Sequence, residues 1–155
     1  MYFKQIDEYE AKIIKLLQVD GRIPLSKLVK EIGLAEATIR KKLRRLINDN
    51  IILVTALGDV FALGFGAPAM IGIKADRRRV DEVARNLSKF PEVQFVAITT
   101  GQYHIYIRVN IEDISRLSEF LLERIMTVEG ILDTDTFVIM KIYKETGQIG
   151  VGAES

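Results

Sequence analysis

Apolar residues recur at helical spacing three times in the first third of the chain. Asp7 and Glu10 have the spacing of a helix-capping pair, and apolar positions then repeat every three or four residues as far as Asp20. A two-turn segment over residues 27–32 ends at Gly33, because glycine adopts the left-handed conformation that terminates helices. A third amphipathic helix is predicted from Ala35 to about residue 48. This arrangement predicts a helix-turn-helix unit.

The remainder of the chain repeats the order strand, helix, strand twice. Strands are predicted over residues 69–75, 93–100, 103–109 and 131–143, and an amphipathic helix follows the first and the third of them. This order predicts a ferredoxin-like βαββαβ sheet. A short strand and linker are expected from residue 51 to residue 57. The predicted fold is α+β, with a winged-type helix-turn-helix head (1–52), a linker (53–66) and a ferredoxin-like domain (67–155).

Alternation along the third strand predicts which side chains lie on each face of the sheet. One set of side chains is expected to meet the helices: Tyr103, Ile105, Ile107 and Val109. The other set points away from them: His104, Tyr106 and Arg108. The second face would also carry Phe137 and Ile139, and no further layer of this chain is predicted to cover it. We therefore expect a second subunit to cover this face.

Composition narrows the class of protein. The 155 residues are 48% hydrophobic and 28% charged, as in one or two compact domains. The absence of cysteine and the single histidine exclude disulfides, a thiolate nucleophile and Cys/His zinc sites. No metal or cofactor is predicted. Without an apolar leader or a run of about 20 apolar residues, the chain is expected to be cytoplasmic, with no membrane segment.

Charge is distributed unevenly although the net charge is only +1. Residues 1–54 contain 11 basic and 7 acidic side chains, and five of the basic ones lie on the third helix. The second helix of a helix-turn-helix enters the major groove of DNA, where cations attract the phosphates. The residues predicted to bind double-stranded DNA are Thr38, Arg40, Lys41, Arg44 and Arg45. A helical hairpin with a solvated cationic face is the alternative that this pattern leaves open.

Two other features of the sequence bear on a possible catalytic or nucleotide site. Residues 64–69 match G-x-G-x-x-A, but no strand precedes them and no helix follows, so a nucleotide site is not predicted. His104 is the single side chain that titrates near neutral pH unaided. Asp133 and Asp135 are its candidate partners on a neighbouring strand, but the sequence offers no matching nucleophile. We therefore predict no catalytic residue.

Several segments together resemble the Lrp/AsnC ("feast/famine") family of transcriptional regulators, from about residue 6 to residue 143. The resemblance rests on residues 27–34 and 38–46 of the helix-turn-helix, on residues 50–52 and 62–64 of the linker, and on residues 100–103 and 128–130 of the second domain. It implies a sequence-specific DNA-binding regulator that forms homodimers and frequently octamers. It also implies that residues 67–155 are the effector-binding and oligomerisation domain, and that an amino acid or related metabolite binds between such domains.

The resemblance also implies an effector site. Carried over position by position, that site comprises Thr100, Gly101, Tyr103, His104, Thr134, Asp135 and Thr136. Two positions depart from the family pattern. The family's hairpin continues with an aspartate where this chain has His104, which leaves an amino acid, another metabolite or no effector open. The family caps its recognition helix with Ser or Thr, where this chain has Ala35.

The sequence is compatible with two alternative functions. Some Lrp-like proteins decarboxylate the tetrapyrrole sirohaem, and His104 and Arg108 would be the candidate residues for that reaction. Residues 54–58, however, lack the arginine-rich linker associated with that group. The other alternative is a small-molecule sensor that acts through partner subunits and does not bind DNA.

Overall fold

The computed structural model describes residues 6–145, which form two compact units that meet in sequence between Leu57 and Gly58. The helical unit contains α1 (Glu8–Val19), α2 (Leu25–Ile32) and α3 (Glu36–Asn48). The sheet unit contains four strands and the helices between them. No helix among residues 6–145 combines the length and the apolar character needed to cross a bilayer.

The ends of the three helices follow the sequence signals. The Asp7 carboxylate accepts a hydrogen bond from the Glu10 N–H at 2.9 Å, and the Glu10 carboxylate accepts one from the Asp7 N–H at 3.0 Å. This reciprocal capping box confirms the predicted start of α1. Helix α2 begins after Pro24, two residues earlier than predicted, and it ends as predicted at Gly33, which has a φ of +78°. Helix α3 follows the cap residue Ala35.

The core of the helical unit is small and draws on all three helices. Its fully buried apolar side chains are Ile13, Ile14, Leu28, Ile39 and Leu46. Residues 6–57 contain no strand, so the short strand predicted over residues 51–57 and the winged form of the head are both wrong for this unit. The amides of Ile51 and Ile52 turn back to the Leu46 carbonyl, at 2.9 and 3.2 Å. A strand needs a neighbouring strand for its backbone groups, and the described part of the chain provides none here.

The sheet unit has the predicted βαββαβ order. Its elements are β1 (Ala69–Ala75), α4 (Val80–Leu87), β2 (Val93–Ile98), β3 (Ile105–Val109), α5 (Ile114–Phe120) and β4 (Ile131–Val138). A π-helical turn, Leu121–Ile125, extends α5. The strands lie in the order β2-β3-β1-β4, and every neighbouring pair is antiparallel.

Three strands are shorter than predicted because each depends on the length of its neighbour. Strand β4 ends at residue 138 rather than 143, since Val138 pairs with Ala69, the first residue of β1. One residue further on, the Ile139 N–H donates to the Pro68 carbonyl at 2.8 Å, and proline has no N–H to continue the ladder. The turn between β2 and β3 spans residues 99–104, so it includes the last two residues predicted for β2 and the first two predicted for β3.

One face of the sheet is packed against the helices. Its largest fully buried side chains are Ile71, Ile73, Ile105 and Ile107, and the helical elements contribute Leu87 and Ile125 to the same core. The buried core of this unit is entirely apolar.

Gly66, within the G-x-G-x-x-A match, has a structural role. Its N–H donates to the Glu112 carbonyl at 2.8 Å, and a Cβ at Gly66 would lie 2.7 Å from that oxygen, so a larger residue would not fit.

The other face, called here the open face, mixes apolar and charged residues. Strand register assigns to it Phe95, Ala97, Tyr106, Arg108, Met70, Gly72, Lys74, Asp133, Asp135 and Phe137. Phe95 and Phe137 are 50% and 53% exposed. Tyr106 and Phe137 therefore lie on the predicted face, whereas Ile139 lies just beyond the end of β4.

Candidate nucleic-acid interface and ligand site

Packing of α3 determines which of its side chains reach solvent. Ile39 and Leu46 are buried against α1 and α2, which turns the opposite side of the helix outward. Thr38, Lys41 and Arg44 lie on that outward side, and all three are exposed. No acidic side chain among residues 6–145 pairs with Lys41 or Arg44, so both charges are available to an external anion. These three residues are called here the reading face.

Arg40 lies beside the reading face and has a weak internal partner. Its guanidinium contacts the Glu36 carboxylate at 2.6 Å, one helical turn earlier, and both side chains are more than half exposed. Exposed pairs of this kind contribute about 0.3–0.5 kcal/mol. A phosphate can therefore compete with Glu36 for Arg40 at little cost.

Lys42 and Arg45 point instead toward the first turn of α1. The Arg45 guanidinium hydrogen-bonds to the buried Glu10 carboxylate, and the Lys42 ammonium hydrogen-bonds to Asp7. The bond from Lys42 lowers the pKa of Asp7, and the bond to Glu10 raises the pKa of Arg45. The sequence pattern grouped Arg45 with the solvent-facing cations, but its charged end is bound within the helical unit.

The first turn of α3 lacks a side-chain cap, as the sequence indicated. Ala35 occupies the cap position and has no oxygen on its side chain to accept a hydrogen bond. The first N–H groups of a helix attract anions because they carry the positive end of the helix dipole. A phosphate at this end of α3 would meet those donors without competition from a capping side chain.

A second cluster of polar side chains lies at one end of the open face. The Tyr103 hydroxyl donates to the Asp135 carboxylate, and the Tyr103 ring packs edge-on against Tyr106 with ring centres 5.4 Å apart. The Lys74 ammonium lies 5.7 Å from the centre of the Tyr103 ring and 2.8 Å from the Asp133 carboxylate. The sheet thus brings two carboxylates, an ammonium and a phenol together.

Tyr103 lies on the open face, so its predicted position against the helices is wrong. It precedes β3, and no strand pairing extends the alternation to it. Its ring covers Gly72, where a Cβ would lie 2.8 Å from the Tyr103 Cγ. The missing side chain of Gly72 is therefore what makes room for the ring.

Hydrogen bonding shifts the acid–base behaviour of this cluster. The bond to Asp135 raises the pKa of Tyr103 to about 12, because a neutral phenol donates to a carboxylate whereas a phenolate would be repelled by it. The Lys74–Asp133 bond raises the pKa of Lys74 and lowers the pKa of Asp133. At neutral pH the phenol is therefore a fixed donor and both members of the ion pair are charged.

Only part of the predicted effector set comes together. Tyr103 and Asp135 are in contact, whereas Thr134 and Thr136 pair with Ile73 and Ile71 and thus lie on the helix-covered side of the sheet. Sequence reasoning missed Lys74 and Gly72, and it named Asp133 only as a candidate partner of His104, whereas Asp133 pairs with Lys74. These placements depend on strand register.

The other predicted effector residues lie in the turn between β2 and β3. Thr100 and Gly101 form part of that turn, and Gly101 has a φ of +108°. His104 has a structural contact, since its Nδ1 accepts a hydrogen bond from the Ala75 N–H at 3.1 Å. This bond secures the end of β1 and occupies one nitrogen of the imidazole. Among residues 6–145, no group of three His, Asp or Glu side chains is arranged to hold a metal ion.

Comparison with known proteins gives a consistent result for both units. Residues 6–47 match the AsnC-type helix-turn-helix domain, and residues 68–149 match the Lrp/AsnC ligand binding domain. The HTH-type transcriptional regulator FL11 of Pyrococcus horikoshii is 37% identical over 147 residues, covering 94% of this chain and 97% of its own. The FL11 regulator of Pyrococcus furiosus is 36% identical over the same length and coverage. These relatives are named as transcriptional regulators and not as enzymes.

Solved structures show the same fold at lower identity. The leucine response regulatory protein LrpA of Mycobacterium tuberculosis has a TM-score of 0.85 at 22% identity, covering 95% of this chain and 100% of its own. A transcriptional regulator from Neisseria meningitidis, NMB0573, solved as a complex with L-Met, has a TM-score of 0.81 at 23% identity, covering 94% and 97%.

Proposed function

The chain belongs to the Lrp/AsnC family of transcriptional regulators, and we propose that it binds a specific double-stranded DNA site as a dimer whose activity depends on a small molecule. Its helix-turn-helix domain makes it a DNA-binding transcriptional regulator, and its second domain is a ligand-binding domain. The identity of the site, the subunit arrangement and the ligand are the parts that we propose.

The reading face carries the DNA-binding proposal. Lys41 and Arg44 are exposed cations with no internal partner among residues 6–145, and Thr38 lies beside them near the start of the helix. Lysine and arginine contact guanine edges and phosphates, and threonine contacts bases or phosphates. We assign DNA contact to these three residues and to Arg40.

The open face supports the dimer. It presents Met70, Phe95 and Phe137 as apolar contacts and Arg108, Lys74 and Asp133 as charged ones, a mixture suited to an interface between two copies. A two-fold dimer presents two copies of α3, which fits two DNA half-sites about 34 Å apart or a multiple of that distance. Association of four dimers into an octamer is the larger assembly that we propose.

The Tyr103–Asp135 cluster supports a small, amine-bearing effector such as an amino acid or a related metabolite. The Asp135 carboxylate can accept hydrogen bonds from an ammonium group, so the cluster supplies an acidic side chain although His104 replaces the family's usual one. The L-Met bound by the Neisseria protein belongs to the same chemical class. Titration calorimetry with a panel of amino acids tests this assignment. We expect binding that Asp135→Asn abolishes and that an exposed-residue control, Glu123→Gln, retains.

DNA selection tests the main proposal. The full-length protein is used to select binding sites from a random DNA pool, and affinity for the selected site is then measured at several salt concentrations. Arg44→Ala is expected to weaken binding and to reduce the slope of log K against log salt by about 0.9, the value for one phosphate contact, or to relax base preference at one position. Arg85→Ala removes an exposed arginine of the sheet unit and serves as the matched control.

The two outcomes of this comparison are distinct. Arg44→Ala should weaken binding while Arg85→Ala leaves it unchanged. Equal effects of the two variants, or no selected sequence at low salt, would contradict the proposal and favour the sensor without DNA binding.

A further inference from the structure

Glu10 is the single charged residue whose side chain is fully buried among residues 6–145, with 1% of its surface exposed. A buried carboxylate is unfavourable unless hydrogen-bond donors surround it. Glu10 has two: the Asp7 N–H donates to one oxygen and the Arg45 guanidinium to the other. The helical unit thus keeps an ion in its interior that connects α1 to α3.

A second ion pair runs beside the first. Asp7 and Glu10 are three residues apart at the start of α1, and their partners Lys42 and Arg45 are three residues apart on α3. Residues at this spacing share one side of a helix. The two helices therefore face each other through two neighbouring bridges, called here the α1–α3 ion pairs.

These bridges define the position of α3 against α1, which apolar packing alone defines less well. The contacts among Ile13, Ile39 and Leu46 are non-directional, and a core of this kind tolerates small shifts between helices. Hydrogen bonds between charged groups depend on distance and direction. The α1–α3 ion pairs therefore define the rotation and the position of α3 along α1.

The reading face belongs to the same helix as these bridges. Lys42 follows Lys41, and Arg45 follows Arg44, so any rotation of α3 that separates the ion pairs also turns the reading face. We propose that Glu10 and Arg45, assisted by Asp7 and Lys42, are positioning residues for DNA binding, and that Arg45 acts through Glu10 rather than by contacting DNA. This proposal rests on the proposed DNA-binding function and assigns a different role to one of its candidate residues.

The direction in which Glu10→Gln changes DNA affinity distinguishes positioning from a simple effect of net charge. Glu10→Gln removes a negative charge from a DNA-binding unit, which by charge alone should strengthen binding to a polyanion. Loss of positioning has the opposite consequence. If only about a tenth of the molecules keep α3 in the competent orientation, the measured affinity falls about tenfold.

The experiment uses the full-length protein and the DNA site selected by the wild type. Affinity is measured across a salt series for Glu10→Gln, Arg45→Gln, the double variant and the neighbouring control Arg44→Gln. Glutamine at position 10 keeps an oxygen for the Asp7 N–H, so the capping box is retained. We expect each of the first two variants to lose affinity about tenfold with an unchanged salt slope, because the competent molecules make the same phosphate contacts.

The double variant measures whether the two residues act as a unit. We expect it to lose no more affinity than the weaker-binding single variant, since each substitution already breaks the same bridge. Arg44→Gln is expected to reduce the salt slope, which a positioning residue does not do. An Arg45→Gln variant that reduces the slope as Arg44→Gln does would overturn the proposal, and so would tighter binding by Glu10→Gln.

A milder substitution guards against loss of folding. If Glu10→Gln is unfolded at the assay temperature, Asp7→Asn replaces it in the test, because asparagine is an equally good helix cap and only the bridge to Lys42 is lost. About twofold weaker binding with an unchanged slope supports the proposal, and tighter binding refutes it. Failure of Arg44→Gln to alter DNA binding would instead count against the proposed function itself.

Discussion

The two units of this protein hold their helices in place by different means. The sheet unit packs α4 and α5 on the sheet through a buried core that is entirely apolar, whereas the helical unit buries five apolar residues together with the Glu10 carboxylate. The free energy gained by burying apolar side chains is proportional to the area buried and does not depend on their orientation. Ionic hydrogen bonds add little net stability but define geometry. The unit that must present α3 at a set angle is the one that contains the buried ion.

The largest expected effect lies in the apolar core of the sheet unit. Ile107→Ala removes a fully buried side chain and should lower the free energy of unfolding by about 2–5 kcal/mol. Urea unfolding at pH 7 and at pH 5 should give the same loss, because no titrating group takes part. Leu132→Ala, at a side chain that is 72% exposed, is the control and should change stability by less than about 0.5 kcal/mol. A strongly pH-dependent loss for Ile107→Ala would break the contrast.

A smaller effect is expected where the sheet unit does use a polar contact. Gly72→Ala places a Cβ within 2.8 Å of the Tyr103 ring and should cost about 1–3 kcal/mol, as overpacking does. Displacement of the ring also weakens the bond to Asp135, so the pKa of Tyr103 should fall from about 12 toward the ordinary value of 10. Absorbance of tyrosinate during an alkaline titration measures this. Asp135→Asn should lower the same pKa without the steric cost.

The direction of the pH effect on stability follows from that shift. The folded-state pKa of Tyr103 is raised, so the folded chain holds the phenolic proton more tightly than the unfolded chain does. The stabilisation is complete below about pH 10 and is lost between about pH 10 and 12. An unchanged tyrosine titration in Asp135→Asn would show that this hydrogen bond does not govern Tyr103.

Capping of α3 offers an effect of about 1 kcal/mol in the opposite direction. Ala35→Ser supplies the missing side-chain acceptor and should stabilise the helical unit by about that amount. Ala37→Ser, at an exposed position in the first turn of α3 beyond the cap, is the matched control and should be slightly destabilising. Thermal melts followed by helical circular dichroism compare the two. Equal responses would mean that the serine at position 35 does not cap α3.

The smallest expected effect is a loss of stability at acidic pH that is specific to the helical unit. The bond from Lys42 lowers the pKa of Asp7 in the folded chain, so the resulting stabilisation is present above about pH 4 and disappears as the pH falls through the folded-state pKa. The pair is partly exposed, so the contribution should be below about 1 kcal/mol. In thermal melts at several pH values, Asp7→Asn should reduce the fall in the melting temperature of the helical unit below about pH 4. Acid sensitivity that survives this substitution would assign the effect to other carboxylates.

Local pattern was enough to predict the helices, the order of strands and helices along the chain and the outward side of α3. The apolar stripe through Ile39 and Leu46, the capping pair at α1 and Gly33 all act within a few residues of themselves. The errors concern groups whose partners are distant in sequence. Arg45 pairs with a residue 35 positions away and Tyr103 with one 32 positions away, and neither spacing has a periodic signature. Strand ends depended likewise on the length of a neighbouring strand.

The interleaving of residues along α3 has a consequence for retargeting this protein. Positions 38, 41 and 44 are outward, while positions 42 and 45 engage α1. A library that varies the first three and keeps the last two can explore new operators on an unaltered scaffold. A grafted foreign helix would instead have to bring its own cations at positions 42 and 45, because Asp7 and Glu10 stay behind in the scaffold.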